Sequence, residues 1–339
     1  MKKITLGKTD IQTIPCGFGA LPVQRVSKAD GVLLLQKAFE AGITFFDTAR
    51  GYTDSEEKIG AALSQVRNSI TIATKTHAKS PELFWQDLEE SLRTLKTDYI
   101  DLYQFHNPGQ CFKPGDGTGM YEAMLEAKGQ GKVRWVGVTS HQLNVAKEAA
   151  GSGLYDTIQY PFSYLASEEE LSLVEQCKEK GLGFVAMKAL AGGLLTNAAA
   201  AYVYMQQYDH VLPIWGMQRM KELLEFIELN HNPPQMESDF LAVMERDREQ
   251  LAGQFCRGCG YCMPCPMGIE INNAARMSLM LRRAPEAKQL SDGNQAMMKK
   301  IESCTQCGSC KSKCPYGLDT PQLLKRNLKD YQEVKETRK

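Results

Sequence analysis

The sequence carries no excess of charge of either sign. Lys and Arg together number 40, as do Asp and Glu, so the formal net charge of the 339 residues is zero. Proteins whose main task is to bind nucleic acid or a membrane surface usually carry a basic excess. We therefore expect neither nucleic acid nor a membrane among the partners of this protein.

Long apolar runs are missing as well. No stretch of the sequence approaches the roughly 20 apolar residues that a membrane-spanning helix needs. Residues 1–8 show neither the apolar stretch of a signal peptide nor a twin-arginine pair, so we expect a cytoplasmic protein. A further absence is a G-x-G-x-x-G fingerprint after the first strand, since Gly17-Phe18-Gly19 is too short a match and is typical of a tight turn.

Cysteine is plentiful and unevenly placed. Three of the 11 cysteines are scattered, namely Cys16, Cys111 and Cys177, whereas the other eight form two tight groups near the C-terminal end of the sequence. A reducing cytoplasm disfavours disulfides, so clustered cysteines there indicate metal ligands.

Residues 1 to about 230 alternate between short β-branched or aromatic runs and segments with helical periodicity. The runs that predict strands are 43–46, 70–73, 99–103, 133–138, 157–160, 183–186 and 211–214, with an eighth near 14–20. Between them, the pair Ser80-Pro81 predicts the start of a helix, and Ser167 with Glu170 predicts a capping box. Strands that alternate with helices predict a parallel sheet covered on both faces.

Polar residues stand where these strands end, which favours a closed barrel over an open doubly wound sheet. They are Asp47, Lys75, His106, Thr139, Gln159, Lys188 and Gln218. A barrel gathers the carboxyl ends of its strands on one rim, where active sites lie, whereas an open sheet spreads them along a line. The predicted fold is α/β: a (β/α)8 TIM barrel with a small C-terminal α-helical, ferredoxin-like iron–sulfur domain.

Composition predicts four segments. The barrel covers residues 1–230, and a charged connector follows the Asn232-Pro233-Pro234 break over 231–252. The cysteine module covers 253–320, and 321–339 is expected to be an exposed helical tail with six basic and three acidic residues. A solvated face is the first interpretation of that tail, and a docking surface for an acidic partner is the alternative.

The two cysteine groups have the spacing of iron–sulfur ligands. The first is Cys256-x2-Cys259-x2-Cys262-x2-Cys265-Pro266, and the second is Cys304-x2-Cys307-x2-Cys310-x3-Cys314-Pro315. The second matches the bacterial ferredoxin run in every spacing, and in two-cluster ferredoxins the fourth cysteine of such a run ligates the other cluster.

We therefore predict two [4Fe–4S] clusters, the first held by Cys256, Cys259, Cys262 and Cys314, and the second by Cys304, Cys307, Cys310 and Cys265. The first run is one residue short before Cys265, which departs from the usual spacing. The alternative is two zinc sites of four cysteines each, although zinc ligands usually come as two separated C-x2-C pairs.

Four residues at or near the strand ends form a chemically coherent set: Asp47, Tyr52, Lys75 and His106. A tyrosine with an ordinary pKa near 10 is a poor proton donor at neutral pH, and a nearby ammonium lowers that pKa by favouring the phenolate. A carboxylate keeps the lysine charged, and a histidine beside the phenol can donate a hydrogen bond to a substrate carbonyl. Such a group reduces a carbonyl by delivering a proton while a cofactor supplies hydride.

Taken singly, a buried Asp or Lys would be interpreted as part of a structural ion pair, and a His at a strand end as a satisfied core group. Their joint occurrence at matching strand ends favours an active site. His77 and His141 have no such support and are predicted to be structural.

The sequence around these residues resembles the aldo/keto reductase family. The resemblance is carried by Phe46-Asp47-Thr48-Ala49-Arg50-Gly51-Tyr52 with Ser55, Glu56, Ile59 and Gly60, by Ala73-Thr74-Lys75, by 101–106 and by 136–139. It extends over essentially the first 230 residues, and residues 256–266 are similar to the branch of that family with a C-terminal ferredoxin domain. The resemblance implies that Tyr52 is the general acid/base, that His106 orients the carbonyl, and that Lys75 with Asp47 tunes Tyr52.

The same resemblance implies a site for NADP(H) or NAD(H). By analogy, Thr139, Ser140 and Gln159 hold the nicotinamide carboxamide, Gly192, Gly193 and Leu194 line the pyrophosphate loop, and Gly216, Met217, Gln218 and Arg219 meet the adenine end. Met187, which precedes Lys188, stands where the family usually has a tyrosine that stacks on nicotinamide. Gly216 stands where a basic residue commonly grips the 2′-phosphate, and Arg219 is the candidate substitute.

The leading hypothesis is an oxidoreductase that interconverts a small-molecule carbonyl and an alcohol with NAD(P)H. Its clusters would serve electron transfer or the docking of a redox protein partner. Nicotinamide moves two electrons and a cubane moves one, and no flavin motif bridges the two. The alternative is a ferredoxin-like electron carrier whose barrel no longer uses NAD(P)H, and a third, weaker hypothesis is an oxygen-sensing regulatory protein.

Overall fold

A computed structural model describes residues 3–251, 255–283 and 289–337 of the chain. Eight parallel strands close into a barrel, as the sequence predicts, with β10 pairing β3 at the seam. A short antiparallel hairpin of β1 (Ile4–Thr5) and β2 (Gln12–Thr13) precedes it. The barrel strands are β3 (Gly17–Gly19), β4 (Phe45–Asp47), β5 (Thr71–Thr76), β6 (Ile100–His106), β7 (Val133–Thr139), β8 (Thr157–Pro161), β9 (Gly183–Met187) and β10 (Val211–Gly216).

Helices follow the strands along the chain. They are α1 (Lys28–Glu40), α2 (Ser55–Leu63), α3 (Pro81–Leu95), α4 (Met120–Gly129), α5 (Leu143–Ser152), α6 (Glu168–Lys180), α7 (Ala198–Met205) and α8 (Met220–His231), with 3-10 turns at Leu21–Arg25 and Ser64–Ser69. Ser80 caps α3, and Ser167 with Glu170 forms the predicted capping box of α6. These caps satisfy backbone N–H groups that the first helical turn leaves without a partner.

The hairpin covers the amino-terminal end of the barrel. The N–H of Lys8 donates to the carbonyl of Gly181 at 2.8 Å, just before β9 begins, and Asp10 binds Arg134 at the start of β7. Ile4 and Leu6 are buried with strand residues in one apolar cluster. Burial of such a side chain contributes about 1.5–3 kcal/mol each. The opposite, carboxyl end of the barrel is the end at which the polar residues lie.

The register of the sheet sets the polar strand ends side by side. Asp47 of β4 pairs with Ala73 of β5, two residues before Lys75. Along the other half of the barrel, His106, Thr139 and Gln159 are successive Cα partners across β6, β7 and β8. Residues far apart in the sequence therefore meet at one rim.

The chain divides into two compact units. The first comprises the residues up to Ala189 together with Ala198–Ala242, and the second comprises Leu190–Asn197 and the chain from Val243 onward. The boundary between Ala242 and Val243 falls between the predicted ones at 230 and 252, and the loop Leu190–Asn197 is grouped with the second unit, where Gly192 and Leu194 accept from Arg276 and Arg283.

The second unit is helical. Beyond the helix Ser238–Gln250 it contains Ile271–Ala274, Met277–Arg283, Asp292–Lys299, Ser309–Ser312 and Thr320–Thr337, with a 3-10 turn at Lys300–Ser303. Its core buries Ile269, Ala274, Met298 and Leu324 together with cysteines of both groups.

The C-terminal helix is exposed on one side only. It begins at Thr320 and buries Leu323, Leu324, Asn327 and Tyr331. The expectation of an exposed tail is thus corrected for the described part, up to residue 337, because an apolar stripe of this helix forms part of the core of the unit. Residues 338 and 339 lie outside the described residues. None of the helices in the described part of the chain combines the length and apolar character that crossing a membrane requires.

Candidate active site and cluster module

A buried ion pair lies at the carboxyl end of β4 and β5. Lys75 Nζ donates to Asp47 Oδ1 at 2.7 Å, to Asp47 Oδ2 at 2.8 Å and to the carbonyl of Thr48 at 2.6 Å. The two side chains are 1% and 4% exposed. Burial lowers the pKa of Lys75, and Asp47 opposes that shift by favouring the charged amine. Burial likewise raises the pKa of Asp47, and Lys75 opposes it.

Tyr52 lies in the loop between β4 and α2, beside this pair. The loop is fixed where the N–H of Arg50 donates to the carbonyl of Lys75 at 3.0 Å and the N–H of Tyr52 donates to the carbonyl of Ala49 at 3.0 Å. The Lys75 ammonium is 5.3 Å from the centre of the Tyr52 ring. The Tyr52 ring meets His106 edge to face, with centroids 5.6 Å apart. The four residues predicted as a set therefore converge at one place.

A second histidine, His77, lies against the ring of His106, and the sequence did not indicate it as part of the site. The imidazole of His77 stacks on that of His106 with centroids 3.8 Å apart. Burial, and then the charges of His77, Lys75 and His141, hold the pKa of His106 well below its usual value of 6.5. His106 is therefore neutral at neutral pH. The one signal for His77 is its place two residues after Lys75 in the sequence.

Two glutamines inside the barrel form a chain of hydrogen bonds that ends at the ion pair. Gln104 Nε2 donates to Gln159 Oε1 at 2.9 Å, and Gln159 Nε2 donates to Asp47 Oδ1 at 3.4 Å. Both glutamines are buried. Gln159 was predicted to hold a carboxamide, whereas Gln104 was missed, although a polar residue between Tyr103 and Phe105 in a buried strand is a usable signal.

The predicted nicotinamide residues lie at the ends of β7, β8 and β9. Thr139 Oγ1 accepts from the N–H of Asn107 at 3.2 Å. The N–H of Ser140 donates to the carbonyl of Gln159 at 3.0 Å. Met187 ends β9, and Lys188 follows it with a positive φ of 57°. These strand ends belong to the same rim as the ion pair.

The predicted adenine-end residues follow β10. Gly216 ends the strand and is level with Gly19 across the barrel seam, and Met217 is buried. Arg219 is 72% exposed along its side chain, and its Nε donates to Glu222 Oε1 at 2.8 Å. The guanidinium predicted to grip a 2′-phosphate is thus engaged by a carboxylate that an anion would have to displace.

The predicted pyrophosphate-loop residues Gly192, Gly193 and Leu194 belong to the second compact unit. Both glycines have positive φ, 68° and 90°, a conformation that L side chains rarely adopt. Leu194 is buried.

The cysteine groups line two cavities in the second unit. The first cavity is lined by Cys256, Cys259, Cys262 and Cys314. The second is lined by Cys265, Cys304, Cys307 and Cys310, and Cys262 also borders it. The fourth cysteine of each run therefore lies with the first three of the other run, which is the exchange that two-cluster ferredoxins show.

Burial disfavours the thiolate forms of Cys256, Cys262 and Cys310 when no metal is bound. Burial raises the pKa of Cys262 to about 12, with the Cys256 and Cys259 thiolates adding to the shift. Such thiols ionise when positive metal binds them. No three Cys, His, Asp or Glu side chains of the described segments converge as ligands of a single metal ion. A cubane does not require that convergence, because each of its four thiolates binds a different iron.

Comparison with known proteins agrees with this geometry. The Aldo/keto reductase family matches residues 13–211, and a 4Fe-4S dicluster domain matches residues 255–319. The C-terminal part of the chain is thus an iron–sulfur domain.

Individual relatives are oxidoreductases. An uncharacterized oxidoreductase of Bacillus subtilis, YqkF, is 34% identical over 213 residues, which are 58% of this chain and 67% of the relative. The NADH-specific methylglyoxal reductase of Escherichia coli is 29% identical over 229 residues, covering 58% of this chain and 70% of the relative. For other curated relatives the matched segment is less than two thirds of their length.

A solved structure of an aldo-keto reductase is also similar to this chain. The holo form of an aldo-keto reductase from Bacillus halodurans superposes with a TM-score of 0.64 at 25% identity, over 73% of this chain and 96% of the other. Because the family match covers more than half of the sequence and the barrel has the corresponding topology, the chain belongs to the aldo/keto reductase family.

Proposed function

We propose that this protein interconverts a small carbonyl compound and the corresponding alcohol with NAD(P)H at the carboxyl rim of the barrel. The observation that carries the proposal is the convergence of an ammonium, a phenol and a neutral imidazole. Lys75 Nζ lies 5.3 Å from the centre of the Tyr52 ring, and the His106 ring lies 5.6 Å from that ring. Relatives that are oxidoreductases support the reaction class.

Each residue of the rim has a role in this reaction. Bound nicotinamide would supply the hydride to the carbonyl carbon. Tyr52 Oη gives its proton to the carbonyl oxygen during reduction and takes it back during oxidation. The Lys75 ammonium, held by Asp47, stabilises the phenolate that remains. Neutral His106 has one N–H to donate to the carbonyl oxygen, which orients the substrate.

The nucleotide would be held by the residues that follow the other strand ends. Thr139, Ser140 and Gln159 provide hydroxyl and amide groups for the carboxamide, and the Met187 thioether can pack on the nicotinamide face. Lys188 follows Met187 at the same strand end. Gly192, Gly193 and Leu194 would meet the pyrophosphate.

At the adenine end, Gly216, Met217 and Gln218 lead to Arg219. A 2′-phosphate would compete with Glu222 for the Arg219 guanidinium, which is exposed enough for the exchange. Because one relative is named an NADH-specific enzyme, both NADPH and NADH are candidates.

The second unit would hold two [4Fe–4S] clusters, with Cys256, Cys259, Cys262 and Cys314 on one and Cys304, Cys307, Cys310 and Cys265 on the other. The lining of the two cavities supports this division. Bound clusters would carry single electrons, to or from a redox protein partner. A reducing compartment such as the cytoplasm suits eight thiols kept as metal ligands.

The test is carbonyl reduction by anaerobically purified protein. NADPH and NADH are supplied with a set of small aldehydes and ketones, headed by methylglyoxal because one relative carries that name. Tyr52→Phe is expected to lower kcat/KM by about 10²–10⁴-fold, the usual contribution of a general acid. Tyr99→Phe makes the same chemical change away from the rim, at a hydroxyl that binds Asn68, and is expected to keep the wild-type rate.

The iron content of both variants should equal that of the wild type. An undiminished rate in Tyr52→Phe would disprove the assigned role of Tyr52. If neither nucleotide binds to the intact protein, the electron-carrier function replaces the reductase.

A further inference from the structure

Two arginines of the second unit hold the loop Leu190–Asn197 by its backbone. Arg276 Nη2 donates to the carbonyl of Gly192 at 2.6 Å, and Arg283 Nη1 donates to the carbonyl of Leu194 at 2.9 Å. Arg283 is itself fixed by Asp247 at 3.0 Å, and both of these side chains are 7% exposed. The conformation of the loop therefore depends on charged groups of the unit that carries the cysteines.

Arg276 also packs against the first cysteine run. A Cβ placed on Gly258 would lie 2.8 Å from Arg276 Nη1 and 3.3 Å from Arg276 Cδ, so the arginine side chain lies directly against this glycine. A Cβ placed on Gly192 would lie 3.3 Å from the carbonyl oxygen of Arg257. The loop, the Arg276 side chain and the backbone between Cys256 and Cys259 are thus in mutual contact.

The two neighbouring glycines of the loop have different surroundings. Gly192 faces Arg257 and Arg276, whereas a Cβ on Gly193 would meet nothing within 4 Å. The loop therefore has one side packed against the cysteine run and open space beside Gly193. A pyrophosphate bound by this loop would lie within reach of the field of the Arg276 charge.

We infer that Arg276 couples the charge of the cluster on Cys256, Cys259, Cys262 and Cys314 to the affinity of the loop for the nucleotide pyrophosphate. This inference rests on the proposed function, since it takes the loop as the pyrophosphate site. Reduction adds one negative charge to the cluster. The reduced cluster then competes with the pyrophosphate for the charge of Arg276, and it also repels the pyrophosphate. Reduced protein should therefore bind the nucleotide more weakly than oxidised protein, and by linkage the bound nucleotide should lower the midpoint potential of the cluster.

The test uses ADP-ribose and its 2′-phosphate, which carry the pyrophosphate but no nicotinamide and so exchange no electrons. Their Kd is measured by calorimetry on intact, anaerobic protein in the oxidised and the dithionite-reduced states. We expect the Kd to be about tenfold higher in the reduced state, which equals a fall of about 59 mV in the midpoint potential for a one-electron couple. An EPR-monitored redox titration with and without the ligand measures that potential independently.

Arg276→Gln should bring the two Kd values to within about twofold of each other, whereas Arg276→Lys keeps the charge and should keep most of the difference. Arg282→Gln is the matched control, because Arg282 lies in the adjoining helix and binds Asp330 at 2.6 Å instead of the loop. That variant should behave as the wild type. If Arg276→Gln fails to retain its iron, the lysine variant decides, since equal Kd values there would refute coupling through charge.

The outcomes separate this inference from the proposed function. If ADP-ribose and its 2′-phosphate bind oxidised wild-type protein equally well after reduction, the coupling is wrong and the nucleotide site stands. If neither compound binds the wild type in either state, the nucleotide site and the coupling are both wrong. A redox-dependent Kd that persists unchanged in Arg276→Gln contradicts the role of Arg276.

Discussion

The imidazole of His77 lies parallel to that of His106, with ring centroids 3.8 Å apart and an angle of 15° between the planes. One face of the His106 ring is thereby covered, and the planes of the His106 and Tyr52 rings meet at 82°. His77 therefore fixes the orientation of the ring that is proposed to hold the substrate carbonyl. Burial lowers the pKa of His77 as well, so the stack consists of two neutral rings at neutral pH.

Removing the His77 ring should disturb the orientation of His106. We expect His77→Ala to lower kcat for carbonyl reduction about tenfold, because a small misplacement of a positioning group is costly. His77→Phe keeps an aromatic plate against His106 and should retain most of the wild-type kcat. Steady-state kinetics of the two variants at pH 7.5 provide the measurement. Equal losses in both would show that the titratable imidazole matters and the stacking does not.

The stability of the barrel should fall as the pH drops below about 6.5. The folded pKa of His106 lies below its ordinary value, so the unfolded chain binds a proton in a pH range where the folded protein does not. The stabilisation that neutral His106 contributes to the folded state is complete above pH 6.5. It is lost progressively as the pH falls to the folded pKa of His106, at up to about 1.4 kcal/mol per pH unit for one group. Thermal unfolding at pH 7.5, 6.5 and 5.5 checks this. His106→Asn should show a smaller decrease than the wild type over the same interval.

Breaking the Asp47–Lys75 pair on one side should be costly. Asp47→Asn leaves a buried ammonium without its counter-charge, which typically destabilises a protein by about 3–5 kcal/mol. The matched control is Glu57→Gln, which breaks the exposed pair with Lys28, where 61% and 53% of the side chains are accessible. That change should cost far less, because solvent screens an exposed ion pair. Unfolding followed by circular dichroism compares the two, and similar losses would mean that the buried pair is unimportant for stability.

Because the fourth cysteine of each run is predicted to ligate the cluster of the other run, replacing it should give a distinct pattern of cluster loss. Cys314→Ser should impair the cluster of the first run, and Cys265→Ser that of the second, although each lies in the opposite run of the sequence. Cys177→Ser changes a buried thiol of α6 and should keep the full complement of iron. Iron analysis and EPR of the reduced proteins distinguish the two clusters. Loss of the cluster nearest in sequence would contradict the exchanged arrangement.

Much of this protein follows from local features of its sequence. The alternation of apolar runs and helical stripes predicts the barrel, and the pairs Ser80-Pro81 and Ser167/Glu170 mark helix starts where the structure has them. These signals act within a few residues, where backbone and side-chain preferences decide the conformation. The spacing of the cysteines predicts their division between two cavities through its match to the bacterial ferredoxin run, in which the fourth cysteine ligates the other cluster.

Other features depend on contacts that no local pattern encodes. The bond between Gln104 and Gln159 joins residues 55 positions apart, and its existence depends on the register of β6, β7 and β8. The stacking of His77 on His106 likewise joins the residues that follow β5 to the end of β6. Gln104 and His77 were not assigned to the site from the sequence, because a polar side chain becomes part of a site only when closure of the barrel brings it to the rim.

The sequence by itself determined the elements, the family resemblance and the ligands available for metal. Only the tertiary structure decided that Leu190–Asn197 associates with the cysteine-bearing unit, through Arg276 and Arg283. The physical reason is that a guanidinium can bind any exposed carbonyl within reach. Which carbonyl it binds is set by packing over long distances in the chain, and composition and periodicity do not record that packing.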